Sequence, residues 1–358
     1  MKPIDILIVD DSAAVRRLLR LALSEDTELR IAGVAANGKI ALALLQQNVP
    51  DLVTLDIEMP EMDGLATLAQ IRKSHPRLPV VMFSTLTERG AVATLDALSL
   101  GATDYVTKPT TVGDPAQAIA SIKQQLIPRI KSFCRRANVG PLQPPVVRPA
   151  EKSGRNPVEV VAIGTSTGGP NALAEVLAAF PADFPVPVVI VQHMPATFTR
   201  FLAERLTLVC ALPVREAVPG ARLLPGQVWI APGDYHLVVT GLRSACSLQL
   251  VQTPPENSCR PSVDVLFRAA AQMFRQGVLA VVMTGMGQDG LRGAETISAM
   301  GGRVWAQDAA SSVVWGMPGF VVQNGLARRV LPLGVIGKEI VREVQENQPR
   351  VIAMARTV

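Results

Sequence analysis

Aromatic residues are scarce in this chain: Phe, Trp and Tyr make up 4% of its 358 residues. A core with so few rings rests on Ala, Val, Leu and Ile, a composition that suits helices packed on parallel sheets. Cysteine is equally sparse. The four, Cys134, Cys210, Cys246 and Cys259, are scattered without a C-x-x-C pair, and histidine occurs three times. That argues against a structural zinc site and for reduced thiols. Long apolar runs are missing as well. None reaches the ~18 residues of a membrane span, and Met1–Asp11 lacks the parts of a signal peptide. The chain reads as cytoplasmic, without membrane insertion. Acidic residues are nearly absent between Gln125 and Val158, where Arg129, Lys131, Arg135, Arg136, Arg148, Lys152 and Arg155 face Glu151 alone. Phe133 is the sole aromatic residue of that stretch, so it reads as a solvated tether rather than a nucleic-acid surface.

What is present is βα alternation, in a chain long enough for two buried cores. Apolar runs at Ile4–Val9, Leu29–Ala35, Leu52–Leu55, Pro79–Phe83 and Thr103–Val106 predict strands. Helical spacing between them covers Ser12–Leu23, Gly38–Gln46, Leu65–Ser74 and Arg89–Leu98, and a last helix runs from Pro115 to about Ile127. Such repeats predict a doubly wound parallel sheet over residues 1–125. A Pro-rich basic linker is expected over 126–157. Alternation then resumes over 158–350, with strands at Val158–Ile163, Val186–Val191, Gln227–Ile230 and Val278–Met283. A hairpin-like insertion is expected at Tyr235–Thr240 and Ser247–Gln252. The fold class is α/β, with two doubly wound parallel-sheet domains.

In the first half, Asp10 and Asp11 end the first strand, Asp56 the third and Ser84 the fourth, while Lys108 follows the fifth. The carboxyl ends of parallel strands share one edge, so these residues converge. Three acids repel one another unless a hard cation such as Mg²⁺ joins their oxygens. Asp56 is then the nucleophile that takes a phosphoryl group. Asp11, Asp56 and the Glu58 backbone carbonyl are the expected Mg²⁺ ligands beside Asp10, and Lys108 and the Ser84 hydroxyl meet phosphate oxygens. The bland reading is that Asp10 and Asp11 only cap the helix that starts near Ser12. It leaves Asp56, Ser84 and Lys108 unexplained.

In the second half, Gly164-Thr165-Ser166-Thr167-Gly168 joins a strand to a helix, expected over Asn171–Phe180. The pattern G-x-S-x-G exposes a serine on a sharp turn, and the helix N-terminus adds N–H groups. The same glycine-rich turn could equally cradle a phosphate. His193 follows the next strand and Asp289 the strand at Val278–Met283. A nucleophilic hydroxyl needs a base, and an imidazole needs a carboxylate to orient it. Ser166, His193 and Asp289 therefore point to acyl transfer. The chain order Ser, His, Asp differs from that of α/β-hydrolases. Asp289 has a bland alternative as a turn aspartate between glycines. His236 is the competing base, expected within a strand and better suited to packing.

The motifs V-D-D-S, L-D-I-E-M-P-E-M-D-G and D-Y-V-T-K-P make residues 1–125 resemble response-regulator receivers, a flavodoxin-like fold. The resemblance implies a histidine-kinase phosphodonor and a switch in which Ser84 and Tyr105 move. The motifs I-G-T-S-T-G-G-P, V-Q-H-M-P, R-P-S-V-D-V-L-F and M-T-G-M-G-Q-D-G make Val158–Val344 resemble the methylesterase domain of the CheB family, a Rossmann-like fold. That resemblance implies hydrolysis of glutamate methyl esters on methyl-accepting chemoreceptors, with deamidation of receptor glutamines. It implies Ser166 as nucleophile, His193 as base and acid, and Asp289 as its orienter. The Met286 N–H would hold the oxyanion, Thr167 would line the site, and Arg260, Ser262 and Asp264 would border the substrate cleft. No cofactor is expected in the esterase domain. Ala309 departs from the acidic residue expected after Ala-Gln-Asp308. A monomer is expected, with an unphosphorylated receiver that blocks the cleft. A transcriptional output would need a helix-turn-helix, which the βα-rich second half does not supply.

Overall fold

The computed structural model describes residues 2–109, 114–134 and 156–346. The chain divides into two compact units, Met1–Gln143 and Pro144–Val358.

The first unit alternates β1 (Ile4–Val9), α1 (Ala13–Ser24), β2 (Leu29–Ala35), α2 (Gly38–Gln47), β3 (Leu52–Asp56), α3 (Gly64–Ser74), β4 (Val80–Ser84), α4 (Glu88–Ser99), β5 (Asp104–Thr107) and α5 (Pro115–Cys134). Its sheet has the order β2-β1-β3-β4-β5, with every pairing parallel. β1, β3 and β4 are buried along their whole length. That is why they read as unbroken apolar runs rather than alternating ones. The helices start where side chains can satisfy free N–H groups: Ser12, Asn37, Asp63 and Thr87 each accept from the backbone N–H three residues on. The strand order reverses between β1 and β3. The crevice at their carboxyl ends lies where Asp10 and Asp56 stand.

One boundary differs from the sequence expectation. α5 does not fray near Ile127 but continues to Cys134, through Pro128. Ile122, Leu126, Ile130 and Phe133 keep a helical spacing and are all buried. Packing of that stripe outweighs the hydrogen bond lost at the proline. The expected linker thus overlaps helix as far as Cys134, and 135–155 lies outside the described residues.

The second unit runs β6 (Val160–Thr165), α6 (Gly169–Leu177), β7 (Val188–Gln192), α7 (Ala196–Thr207), β8 (Val214–Glu216), β9 (Val228–Ile230), β10 (His236–Leu242), β11 (Ala245–Val251), α8 (Val263–Phe274), β12 (Val278–Val282), α9 (Leu291–Ala299), β13 (Arg303–Gln307), α10 (Met317–Gln323), β14 (Arg329–Leu331) and α11 (Leu333–Glu346). Its main sheet, β14-β13-β12-β6-β7-β9-β8, is wholly parallel. β10 and β11 form the separate antiparallel hairpin expected from the sequence. Leu237, Val239 and Leu248 of this hairpin join a core with Val160, Ala162, Leu266, Phe267 and Ala280. The chain leaves β6 toward β7 on one side and later adds β12 on the other. The switch point is therefore between β6 and β12, and ligands of such sheets bind at that crevice.

Candidate active site and phosphoacceptor site

Ser166 follows β6 directly, because the strand ends at Thr165, two residues later than the apolar run implied. The chain around it is held from both sides: Ser166 N–H donates to Thr284 O at 3.0 Å, and His193 N–H donates to O of the preceding Thr165 at 3.2 Å. The turn that follows favours glycine. Gly168 has φ +78°, and a Cβ there would lie 2.5 Å from Val313. Gln192, the last residue of β7, steadies the turn from below, its Nε2 donating to the carbonyls of Ser166 and His193 at 2.9 and 3.2 Å.

His193 and Asp289 meet as the sequence suggested. His193 Nε2 lies 2.8 Å from Asp289 Oδ2. The carboxylate is buried and heavily bonded. Its Oδ2 also accepts from Val263 N–H at 2.7 Å, and its Oδ1 accepts from Ser262 Oγ at 2.8 Å, Asn257 Nδ2 at 3.0 Å, and the N–H groups of Asp264 and Gly290, both at 3.1 Å. Burial alone would raise the Asp289 pKa, but His193 and these donors hold it well below the usual carboxylate range. For His193, burial works against the imidazolium, while Asp289 and the nearby Cys259 outweigh it and raise the pKa above the ordinary imidazole value. With Nε2 given to Asp289, Nδ1 is the nitrogen left to exchange protons. No hydrogen bond joins Ser166 Oγ to His193 among the described residues; instead Nδ1 faces Cys259 Sγ at 3.6 Å.

The supporting residues overturn part of the cleft expected from the resemblance. Ser262 and Asp264 are buried, at 0% and 1% exposure, and hold Asp289 rather than line a groove. Asp264 also accepts from Gly293 N–H at 2.7 Å and from Asn257 Nδ2 at 2.8 Å; burial raises its pKa to about 6. Arg260 is occupied by Asp234 and by the Thr253 carbonyl. His236 opens β10 and is fully buried. Its Nδ1 accepts from Ser262 N–H at 3.1 Å and its Nε2 lies 3.2 Å from Pro254 O, so both nitrogens are spent on the loop that carries Cys259 to Asp264. Nothing in the sequence marked Asn257 or Cys259; only the fold brings this loop to His193.

Met286, half-buried, follows Gly285, whose position a Cβ could not share with Ser166 Cβ at 2.9 Å. Among the described residues its N–H has no hydrogen bond. Thr167 is buried, and its carbonyl accepts from Thr284 Oγ1 at 2.9 Å. Asp308 keeps its contacts without an acidic neighbour: its Oδ1 accepts from Ser311 N–H and Oγ, and Ala309 is exposed.

In the first unit, Lys108 Nζ lies 2.8 Å from Asp56 Oδ1 and 3.1 Å from Asp10 Oδ2. Asp10 is fully buried, and its Oδ2 has that ion pair but no aligned hydrogen bond. Burial first, then the charge of Asp10, raises the Asp56 pKa to about 6 despite Lys108. The simple capping reading of Asp10 and Asp11 fails, since Ser12 caps α1 itself while Asp10 Oδ1 accepts the Ser12 N–H. Oxygens of Asp10, Asp11 and Asp56 all lie within 4.8 Å of one another. Glu58 and Ser84 line the same cleft as Asp11, Asp56 and Lys108. A hard cation suits this set: all-oxygen donors, one of them a buried oxygen without a hydrogen bond. The Ser84 hydroxyl is engaged elsewhere, donating to Gly90 O at 3.1 Å and accepting from Thr94 Oγ1 at 2.7 Å. Tyr105 on β5 is half-buried, and burial raises its phenol pKa.

Comparison with known proteins agrees with this architecture. The family model "CheB methylesterase" matches residues 161–340, and "Response regulator receiver domain" matches 6–120. A "protein-glutamate methylesterase/protein-glutamine glutaminase" of Trichodesmium erythraeum is 52% identical over 95% of this chain and 98% of its own length. One of Nocardioides sp. is 48% identical over 98% of both. The crystal structure of the Thermotoga maritima CheB methylesterase catalytic domain superposes with TM-score 0.51 at 40% identity, covering 52% of this chain and 98% of that one. No described helix is long and apolar enough to cross a membrane.

Proposed function

The chain belongs to the CheB methylesterase family and is a phosphorylation-regulated protein-glutamate methylesterase and glutaminase of chemotaxis; we propose that Ser166, His193 and Asp289 perform its chemistry. The observation that carries this assignment is the His193–Asp289 pair. A carboxylate held by six hydrogen bonds fixes Nε2 and leaves Nδ1 to exchange protons, while the His193 N–H is bonded to Thr165 O, one residue before Ser166. Ser166 gives its hydroxyl proton to His193 Nδ1 as Oγ attacks the γ-carbonyl carbon of a receptor glutamate ester. The oxyanion faces the Met286 N–H, beside Thr167. Collapse expels the methoxy group, which takes the proton from Nδ1 and leaves as methanol. Water then gives a proton to Nδ1 and attacks the acyl-serine; the acyl–Oγ bond breaks, Nδ1 returns the proton to Ser166 Oγ, and glutamate is released. With a glutamine side chain, ammonia leaves in place of methanol.

Asp56 accepts the phosphoryl group from a chemotaxis histidine kinase: the donor P–N bond breaks as a P–O bond forms to the carboxylate. Asp10, Asp11, Asp56 and the Glu58 carbonyl would hold Mg²⁺, which supplies neutralisation of the crowded negative charge. Lys108 steadies the product, and Ser84 and Tyr105 follow it. The substrates are cytoplasmic segments of methyl-accepting chemoreceptors, and the enzyme acts in the cytoplasm as a monomer without nucleic acid. Methanol release from methyl-esterified receptor tests the reading. Ser166→Ala should cut the rate at least ~10³-fold, and equal release from both forms would sink it.

A further inference from the structure

Cys259 makes and breaks no bond in that chemistry, yet its turn holds it beside His193. The segment Glu256–Cys259 is a tight turn closed by Glu256 N–H to Cys259 O at 3.1 Å and Cys259 N–H to Glu256 O at 2.9 Å. Its two central residues, Asn257 and Ser258, both have positive φ, 52° and 62°, as a type I′ turn requires. Asn257 Nδ2 fastens the turn to Asp264 and Asp289. Glu256 fastens it to Arg268 of α8 at 2.6 and 2.8 Å. The outcome is a fixed, half-exposed sulfur 3.6 Å from His193 Nδ1.

That separation has a chemical meaning. Zinc binds imidazole nitrogen at ~2.0 Å and thiolate sulfur at ~2.3 Å, so two such ligands at a tetrahedral angle stand about 3.5 Å apart. The rest of the arrangement fits too. Metal-binding histidines commonly give their other ring nitrogen to a carboxylate, which fixes the ring and strengthens the ligand. Here Asp289 holds Nε2 at 2.8 Å. Donor atoms of His193, Cys259 and Asp289 lie within 4.8 Å of one another. The nitrogen–sulfur pair selects a borderline-soft ion over Mg²⁺.

We propose that His193 Nδ1 and Cys259 Sγ form a binding site for a zinc-class divalent cation, with Asp289 behind the imidazole, and that its occupancy silences the hydrolase. Binding displaces the thiol proton, and the Nδ1 proton of the imidazolium, to solvent. Silencing rests on the reading of His193 as the base: the metal takes the Nδ1 lone pair that would receive the Ser166 proton. The binding itself rests on geometry alone. With two protein ligands the remaining positions belong to water, so the ion is exchangeable.

The test uses the full chain with excess Mg²⁺ to occupy the acidic trio of the receiver. Zinc chloride at tens of micromolar should lower methanol release about tenfold in the native chain, reversibly with EDTA, and less than about twofold in Cys259→Ser relative to that variant's own metal-free rate. Cobalt(II) provides a second readout. The native chain should show a thiolate-to-cobalt charge-transfer band that Cys259→Ser lacks and Ser166→Ala retains. Equal zinc inhibition of native and Cys259→Ser chains, or absence of the band in the native chain, overturns the site. A band in a native chain that releases no methanol supports the site and refutes the hydrolase assignment instead.

Discussion

At the scale of single residues, the site is governed by where charge is buried. Asp289 is an acid kept charged by its donors, and its charge keeps the proton on His193. A base with a raised pKa is neutral only at higher pH, so kcat/KM should climb as pH rises through the His193 pKa. Asp289→Asn removes the charge that raises that pKa and also presents an amide to backbone N–H donors. The expected result is a kcat/KM lower by ~10³–10⁴, with the remaining activity reaching its plateau at lower pH. A plateau that stays in place or moves to higher pH would refute the coupling. His236 provides the control. Both of its nitrogens are occupied, so His236→Gln should lower stability without displacing that limb of the profile.

Asp56 shows the opposite balance, because burial lifts its pKa from 3.8 to about 6. A carboxyl raised in the folded chain contributes stability that is complete below its unfolded value and lost as pH rises through about 6. At pH 7 the charge therefore costs the receiver of order 1–3 kcal/mol. Asp56→Asn should raise the receiver's thermal midpoint at pH 7 in the absence of divalent cations, and added Mg²⁺ should stabilise the native chain more than the variant. Calorimetry showing a lower midpoint for the variant would contradict this account.

At the scale of elements, the β6–α6 turn is where sequence and structure agree most tightly. Gly168 holds a positive φ against Val313, so Gly168→Ala meets both strain and a 2.5 Å contact. A loss of ~1–3 kcal/mol follows, seen as a lower unfolding midpoint with a fall in kcat, since Ser166 sits two residues away. An unchanged midpoint would show that the turn relaxes freely. This turn was legible because its glycines are read directly. So were the receiver strands, whose burial on both faces leaves apolar runs. Three strands were not. β13 begins with Arg303 and ends with Gln307, and its buried arginine is met by Glu343 at 3.1 Å and by the Asn156 carbonyl at 2.6 Å. β8 and β14 are three residues each, too short to carry a period. α5 outran the sequence reading because Pro128 looked like a stop while Ile130 and Phe133 continued the buried stripe. The site divides along the same line. Ser166, His193 and Asp289 each follow a strand, so topology alone gathered them, whereas Asn257 and Cys259 arrive on a loop whose path depends on His236, Ser262 and Arg260.

At the scale of the whole molecule, the phosphoacceptor and the serine belong to different compact units. A receiver that restrains the second unit would act by shifting a population between restrained and active forms when Asp56 is phosphorylated. If the receiver only restrains, the activity of the phosphorylated chain has a ceiling: that of a chain lacking residues 1–140. The second unit has its own core around Val160, Phe267 and Ala280, and the Thermotoga maritima catalytic domain forms a structure of its own. The deletion should thus fold and show raised basal methanol release. The full chain treated with a small phosphodonor should approach that rate from below, and Asp56→Asn should stay at the basal rate with or without the donor. How close the treated chain comes depends on the coupling, because a shift from mostly restrained to mostly active requires phosphorylation to favour the active form by several kcal/mol. A deletion no more active than the untreated full chain would remove restraint from the mechanism. A phosphorylated chain faster than the deletion would mean that the receiver also contributes positively to the active form, and restraint alone would no longer describe the switch.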